Sequence, residues 1–336
     1  MAHYVTPLVH RSELQGTAAL AAVAMLIGTA FGLSTLVTPL YLLYQQQFGF
    51  SQVTLTLIYA AYVIGNLVAL LFIGRISDRV GRRPTALAAI AGLIVAAFVF
   101  LFARSVGALY VGRILTGLGV GLASGTGNAW LAELIGTNDK ARAATIGTSA
   151  NFLGLGLAAL VAGLLAQYAP WPLHLSFVVY LVVLAAVAVL VWSTHETVQH
   201  RSPNLFEIRS GELRPKLALP RDIRAAFVAP AITGFGLMAL VGFFAALMPA
   251  VLSHDLHINN HAAAGALFIE LAIVVAGAIV ATQKLTSRTA MMASLAVMIP
   301  AAGSLWLANS VSDVIVKSFL QARQRKRGAP FKRRQS

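Results

Sequence analysis

Apolar residues fill this chain in long blocks, separated by short polar connections. Nine blocks reach the roughly 20 residues that a helix needs to cross a hydrocarbon core. They are 18–45, 53–74, 84–104, 107–135, 143–167, 172–193, 225–253, 262–283 and 289–308, with ends good to about 2–4 residues. A membrane strand would alternate apolar and polar positions in pieces of about 10 residues, and none of the nine does. Each block therefore predicts a helix, and the fold class expected is an all-α membrane protein of about nine helices.

Composition agrees. Of 336 residues 58% are hydrophobic and 11% charged, and the mean hydropathy is +0.78, whereas a soluble domain carries about 25% charged residues. Such a chain cannot cover its surface with polar groups, so its solvent is the lipid bilayer. The net charge of +14 argues for no nucleic-acid partner, because the Lys and Arg residues lie in gaps between apolar blocks rather than on a face with stacking aromatics. The absence of cysteine excludes disulfides, thiolate metal sites and cysteine nucleophiles. The first block is too long for the apolar core of a cleaved signal peptide. His195 and His200 stand five apart rather than the four of a zinc-binding helix. His254, Asp255, His257 and His261 read as polar loop residues, so neither a metal nor a cofactor is expected.

The gaps alternate. Those after blocks 1, 5 and 7 hold no Lys or Arg, and that after block 3 holds only Arg104. The gap after block 2 carries Arg75, Arg79, Arg82 and Arg83, that after block 4 Lys140 and Arg142, and that after block 8 Lys284 and Arg288. Cytoplasmic loops of membrane proteins carry the excess of Lys and Arg, which predicts a cytoplasmic N-terminus in a multi-pass protein of the cell membrane, the inner membrane in a bacterium. Four regions follow: a six-helix bundle over 1–193, a cytoplasmic linker over 194–224, a partial second bundle over 225–308, and a basic tail over 309–336 expected to be disordered.

The second gap carries a pattern, Gly74-x3-Asp78-Arg79-x-Gly81-Arg82-Arg83. It resembles the loop between the second and third helices of major facilitator superfamily transporters. Arg113-x3-Gly117-x-Gly119-x-Gly121 in block 4 is similar to that family's pattern for its fourth helix, and His195-Glu196-Thr197 to its Pro-Glu-Thr ending. The resemblance implies two six-helix bundles and a cytoplasmic gate formed by Gly74, Asp78, Arg79, Gly81, Arg82, Arg83, Glu133 and Glu196, with the carboxylates pairing to the arginines. A plain positive-inside hairpin is the alternative. Glycines at 74 and 81 allow a tight hairpin, and Asp78 can accept from arginines or cap a helix. Gly117, Gly121 and Gly125, and likewise Ala150, Gly154, Ala158 and Ala162, recur every four residues and make smooth faces for neighbouring helices. Drug/proton antiporters of the family carry Gly-Pro and paired Gly in the fifth helix; Ala158-Ala159 and Ala162-Gly163 stand here instead.

Two ionisable residues sit well inside blocks. Arg113 lies about two turns in, where a charge costs about 2.5–3.5 kcal/mol on insertion scales; it faces a cavity or partner, or snorkels to the surface. Glu270 is the one acid in the middle of a block, and is paired, protonated or cavity-facing. Both are candidates for coupling. Tyr41, Tyr59, Tyr62, Asn66, Asn128 and Asn151 are candidate substrate contacts, interhelical hydrogen bonding being the alternative for each.

The expected function is secondary active transport of a small molecule by alternating access, with protons as a further partner and drugs, sugars or other organic solutes as substrates, by a monomer. No nucleophile triad or metal helix marks an enzyme. The twelve-helix pattern stops after nine blocks, and eight basic residues then fall on the outer side, against the positive-inside rule. This predicts loss of the last three helices, or a ninth block that does not span, leaving eight helices and an inside tail. An inactive fragment or interaction-only membrane protein is the competing class.

Overall fold

The computed structural model of the chain describes residues 13–73, 76–136, 139–198, 227–236 and 260–282, with a few isolated positions beyond them. The chain divides into two compact units, Met1–Leu219 with Met238–Ala281, and Pro220–Leu237 with Thr282–Ser336. In the second, the described helix is α9, Phe227–Gly236, whose Phe227, Val228, Ile232 and Phe235 are exposed.

The first unit is helical throughout, with no strand among the described residues beyond one isolated bridge between Leu14 and Thr194. Helix α1 spans Gly16–Leu36, a 3-10 turn Thr38–Leu40, and α2 Tyr41–Phe48. Pro39 lacks the N–H that an α-ladder needs, so the first apolar block is a broken span. Gly49, left-handed at φ 67°, ends it. Helix α3 spans Gln52–Val68 and runs into a π turn, Ala69–Ile73; α4 is Ile76–Val80, α5 Arg82–Leu101 and α6 Val106–Ile135. Helix α7 is Lys140–Tyr168, α8 Pro172–Ser193 and α10 His261–Thr282. The caps are those the sequence provides: Ser51 accepts from Thr54 N–H, Ser105 from Ala108 N–H and Asp139 from Arg142 N–H, each satisfying an orphan donor of a first turn.

Among the described residues six helices are long and apolar enough to cross a membrane. They are the first six blocks. The eighth block is α10; the seventh is described only through α9, and the ninth, most of the linker and the tail lie outside the described residues. The all-α membrane architecture is as expected.

Helix α1 is the most enclosed. Ala19, Val23, Leu26, Ile27, Ala30 and Leu33 are all at most 1% exposed, packed by α6, α7 and α8. Large apolar side chains such as Leu57, Ile64, Val95, Val182 and Val189 point outward, an arrangement that water would penalise and that lipid does not.

Two contacts are set by small residues. A Cβ on Gly65 would strike the carbonyl of Ile114, and one on Gly117 the carbonyl of Tyr62, so α3 and α6 meet backbone to backbone. A Cβ on Gly154 would strike the carbonyl of Gly28, joining α7 to α1. This is the use expected for the 150-154-158 and 117-121 faces; Gly125 meets only Leu70, at 3.9 Å. Helix α10 also lies on α7. Gly265 faces Ala159 while Gly156 faces Ala272 and Ile269, so the numbering runs in opposite senses and the two helices are antiparallel, as the loop charges require.

Gly154→Val should lower stability by about 1–3 kcal/mol, the cost of overpacking a tight contact. Gly92→Ala, where an added Cβ meets nothing within 4 Å, should leave it unchanged or higher. Thermal unfolding of the detergent-solubilised protein checks both.

Candidate functional site

One end of the six-helix bundle gathers most of its described charge. Gly81 holds φ 113°, a backbone conformation that favours glycine, and this turns the chain from α4 into α5. The turn throws Arg82 inward, where it is 6% exposed. Its Nε donates to both oxygens of Glu133 at 3.2 and 3.1 Å, and its Nη2 to Oε1 at 2.5 Å. Its Nη1 reaches Ser77 Oγ at 2.6 Å and Asp78 Oδ1 at 2.6 Å. Thr197 Oγ1 donates to the far oxygen of Glu133.

Glu196 acts on the backbone. Its two oxygens accept from the N–H groups of Arg82 and Arg83 at 2.9 and 3.0 Å, so a carboxylate caps the first turn of α5, where the helix dipole favours negative charge. The resemblance implies a carboxylate–guanidinium pair here; the geometry shows a helix cap as well. Arg83 spreads over the end of α8, donating to the carbonyls of Trp192 and Thr194 at 3.0 and 3.4 Å, with its guanidinium 6.0 Å from the Trp192 ring centroid. It also lies 3.6 Å from Glu13.

Glu13, His195, Thr197, Ser77 and Trp130 are participants that sequence reasoning missed. Leu14 N–H donates to Ser193 O at 2.7 Å and His195 N–H to Leu14 O at 3.2 Å. These bonds pin the N-terminal segment to the end of α8. Glu13 then meets His195 Nδ1 at 2.6 Å, and Trp130 Nε1 donates to His195 O at 3.1 Å. Topology alone contained a signal for Glu13, an acid placed on the same side as the arginine loop. Of the remaining expected gate residues, Asp78 is 58% exposed, Arg79 is exposed on α4, and Gly74 lies outside the described residues. All partners of Arg82, Arg83 and Glu196 named here come from the first 198 residues, so the network fastens this bundle to itself.

A second site lies near the other end. Arg113, seven residues after the start of α6 and so about 10 Å along it, is 1% exposed. The snorkelling alternative fails. Its Nε donates to Tyr41 Oη and its Nη1 to Ser34 O at 2.7 Å. The guanidinium carbon lies 5.1 Å from the Tyr41 ring centroid and 4.7 Å from that of Tyr59, within cation–π range. Its Nη2 has no hydrogen-bond partner among the described residues.

The candidate contacts divide around it. Tyr41 and Tyr59 join Arg113 directly. Tyr62 and Asn66 follow on α3 where it meets Gly117 and Gly121, and Asn66 Oδ1 is buried without a partner among the described residues. Asn151 Oδ1 on α7 is in the same condition. Asn128 is elsewhere, donating to Ser124 O at 2.9 Å and packing against Gly147, about 22 Å along α6 from Arg113. Glu270 does not meet Arg113. Phe268 and Ala272 bury the α7-facing side of α10, and Glu270 lies on the opposite, exposed side. Among the described residues no group of three or more His, Cys, Asp or Glu is placed to hold a metal.

The family model described as Major Facilitator Superfamily matches residues 20–320. The chain belongs to this superfamily. It is similar to the multidrug resistance protein MdtL of Klebsiella pneumoniae (strain 342), 36% identical over 23% of this chain and 19% of that protein. It is also similar to the gallate transporter of Pseudomonas putida, 29% identical over 38% of this chain and 28% of that one. A third relative is the sugar transporter ERD6-like 6 of Arabidopsis thaliana, 29% identical over 32% of this chain and 21% of that one. The matches thus span under a third of these relatives' lengths. Among solved structures, the human organic anion transporter MFSD10 (TETRAN) superposes with a TM-score of 0.58 at 17% identity, over 81% of this chain and 74% of that one, a likeness of fold alone. The major facilitator assignment makes the chain a multi-pass membrane protein and gives the arginine-rich end its family context.

Glu133→Ala leaves the Arg82 fork short of its principal acceptor and should cost about 2–3 kcal/mol. The 37% exposure of the Glu133 side chain keeps this below the figure for a fully buried pair. Glu196→Ala removes the cap of α5, about 1 kcal/mol. Thermal melts of the two variants check the order, and a milder Glu133 variant would reject it.

Proposed function

We propose that this chain is a secondary transporter of a small organic anion, working by alternating access, with its arginine-rich end and N-terminus in the cytoplasm and, in a bacterium, in the inner membrane. The observation that carries the reading is Arg113, a charge buried in the bundle with one donor unused. Of eleven Asp and Glu residues, Glu270 alone sits in the middle of an apolar block, and it faces away. A guanidinium held by a tyrosine hydroxyl, a carbonyl and two ring faces keeps its positive charge uncompensated. An entering carboxylate would supply both the missing acceptor and the counter-charge, and Tyr59 would offer a ring face to an aromatic substrate. A gallate transporter among the relatives supports the substrate class, gallate being an aromatic carboxylate. Arg113 is a substrate ligand in this reading, and Glu270 has no part in it.

The charged end supplies the second requirement, a bundle that moves as one body. Asp78, 58% exposed and the most open carboxylate of this network, is our candidate for the gate contact outside this bundle, with Arg79 beside it.

Reconstitution into proteoliposomes with benzoate-type acids, the matching amides and a neutral sugar tests the proposal. Saturable uptake of the acids alone is expected, lowered at least ten-fold by Arg113→Gln. Equal uptake of acid and amide would reject the anion reading. Asp78→Asn should abolish uptake while sparing membrane insertion and lowering the melting temperature only slightly, since an exposed carboxylate in an ion pair contributes about 0–1 kcal/mol; undiminished uptake would remove Asp78 from the gate.

A further inference from the structure

Helices α1, α7 and α8 enclose a groove of about 610 Å³. Gly28 and Gly32 of α1 lie at its floor, Leu157 and Val161 line it from α7, and Val179 and Val183 from α8. No Asp, Glu, Lys, Arg or His is among its lining residues. Leu157 is 53% exposed and Val183 43%, so the groove opens on the surface that faces hydrocarbon in a membrane-spanning bundle. Along α7 the lining runs from Thr145 to Val161, about 24 Å of helix rise, most of a bilayer core of about 30 Å.

Those dimensions select the occupant. Spread over that length, the volume gives a mean cross-section of roughly 25 Å², against roughly 80 Å² for a helix about 10 Å across. A helix of a second copy could rest on the rim but not fill the groove, and a charged solute would find no counter-ion. An extended methylene chain fits, and the bilayer supplies it through the open side, since the groove is continuous with the lipid-facing surface.

Five hydroxyl residues, Thr29, Thr145, Ser149, Ser176 and Tyr180, interrupt the apolar lining, and of these Ser176 is the one buried without a hydrogen-bond partner among the described residues. It is 2% exposed. Several other buried hydroxyls of the bundle are satisfied by their own backbone, although Thr38 Oγ1, on the 3-10 turn outside the groove, is not. Ser34, Thr35, Thr116, Ser124 and Thr194 each donate to a carbonyl three or four residues back. Ser176 forgoes that bond although residue 172 offers a carbonyl. Lipid tails give a hydroxyl no acceptor, so its partner must come with the ligand. Ser176 lies four residues into α8, about 6 Å from the helix start at the uncharged end, a depth suited to the ester groups beneath a phospholipid headgroup.

We propose that this groove is a discrete site for one acyl chain of a glycerophospholipid, with the Ser176 hydroxyl donating to that chain's ester carbonyl. The site depends on the chain spanning a membrane and not on what it transports. Apolar contact with lipid gains little over contact with other lipid, so selectivity rests on the hydroxyl, and an ester lipid is favoured over its ether counterpart.

Native mass spectrometry of the full chain, released from mild detergent after incubation with a diacyl phosphatidylglycerol or its dialkyl-ether analogue, decides the matter. The expected result is one retained diacyl lipid per chain, with the ether lipid held roughly five-fold less well, the worth of one hydrogen bond. Ser176→Ala should hold the two lipids equally. Ser149→Phe, filling the groove, should lose both, while Leu164→Phe, on the same helix outside the lining, should retain the diacyl lipid. Equal retention of ester and ether lipids by the wild type, no effect of Ser176→Ala, a graded series of lipids with no single stoichiometry, or a protein dimer in place of the lipid adduct would each overturn the proposal. If Ser149→Phe does not fold, the ester–ether comparison in the wild type and in Ser176→Ala still decides it.

Discussion

A guanidinium cannot lose its proton inside a protein, so within a bundle solvated by lipid it must be met by acceptors or carry a large cost. Two arginines of this chain meet that constraint in opposite ways. Arg82 is met on every side, by Glu133, Ser77 and Asp78, and the turn that delivers it is capped by Glu196. Arg113 is met by one hydroxyl, one carbonyl and two aromatic faces, with a donor left over. The first arrangement is a closed structure. The second is an open valence in the interior of the protein.

The closed network joins elements far apart in sequence but neighbouring in the bundle: the segment before α1, the α4–α5 turn, the end of α6 and the end of α8. A network of this kind does not by itself hold one half of a transporter against another. It stiffens the bundle it belongs to, so that its charged end does not fray. The backbone-to-backbone contacts of α3 with α6 and of α1 with α7 act in the same sense, since helices that touch through glycine cannot slide without collision.

Much of this was legible in the sequence. Block length gave nine spans, six of which are membrane-length helices among the described residues, because the energetics of a bilayer are written in twenty-residue averages that survive ignorance of tertiary contacts. Gly81, Arg82 and Glu133 were legible because their pattern matched a known loop. Glu196 was found but one of its roles was not: a carboxylate near arginines reads as an ion-pair partner, and only coordinates show that it also accepts from two peptide N–H groups. Ser34 could not be found at all, since it contributes a carbonyl that every residue has. Asn128 and Asn66 looked alike, as asparagines within spans; which one lies near Arg113 depends on which face of a helix meets which neighbour.

The small-residue seam between α1 and α7 also fixes an order of assembly. Thr35 donates to the carbonyl of Leu155 across 120 positions of chain, and at about 5–20 residues per second of synthesis the partner emerges roughly 6–24 s later. During that interval α1 stands with its flattest side against lipid. A helix made before its partner is thus enclosed late, and the nascent bundle closes around it from the back.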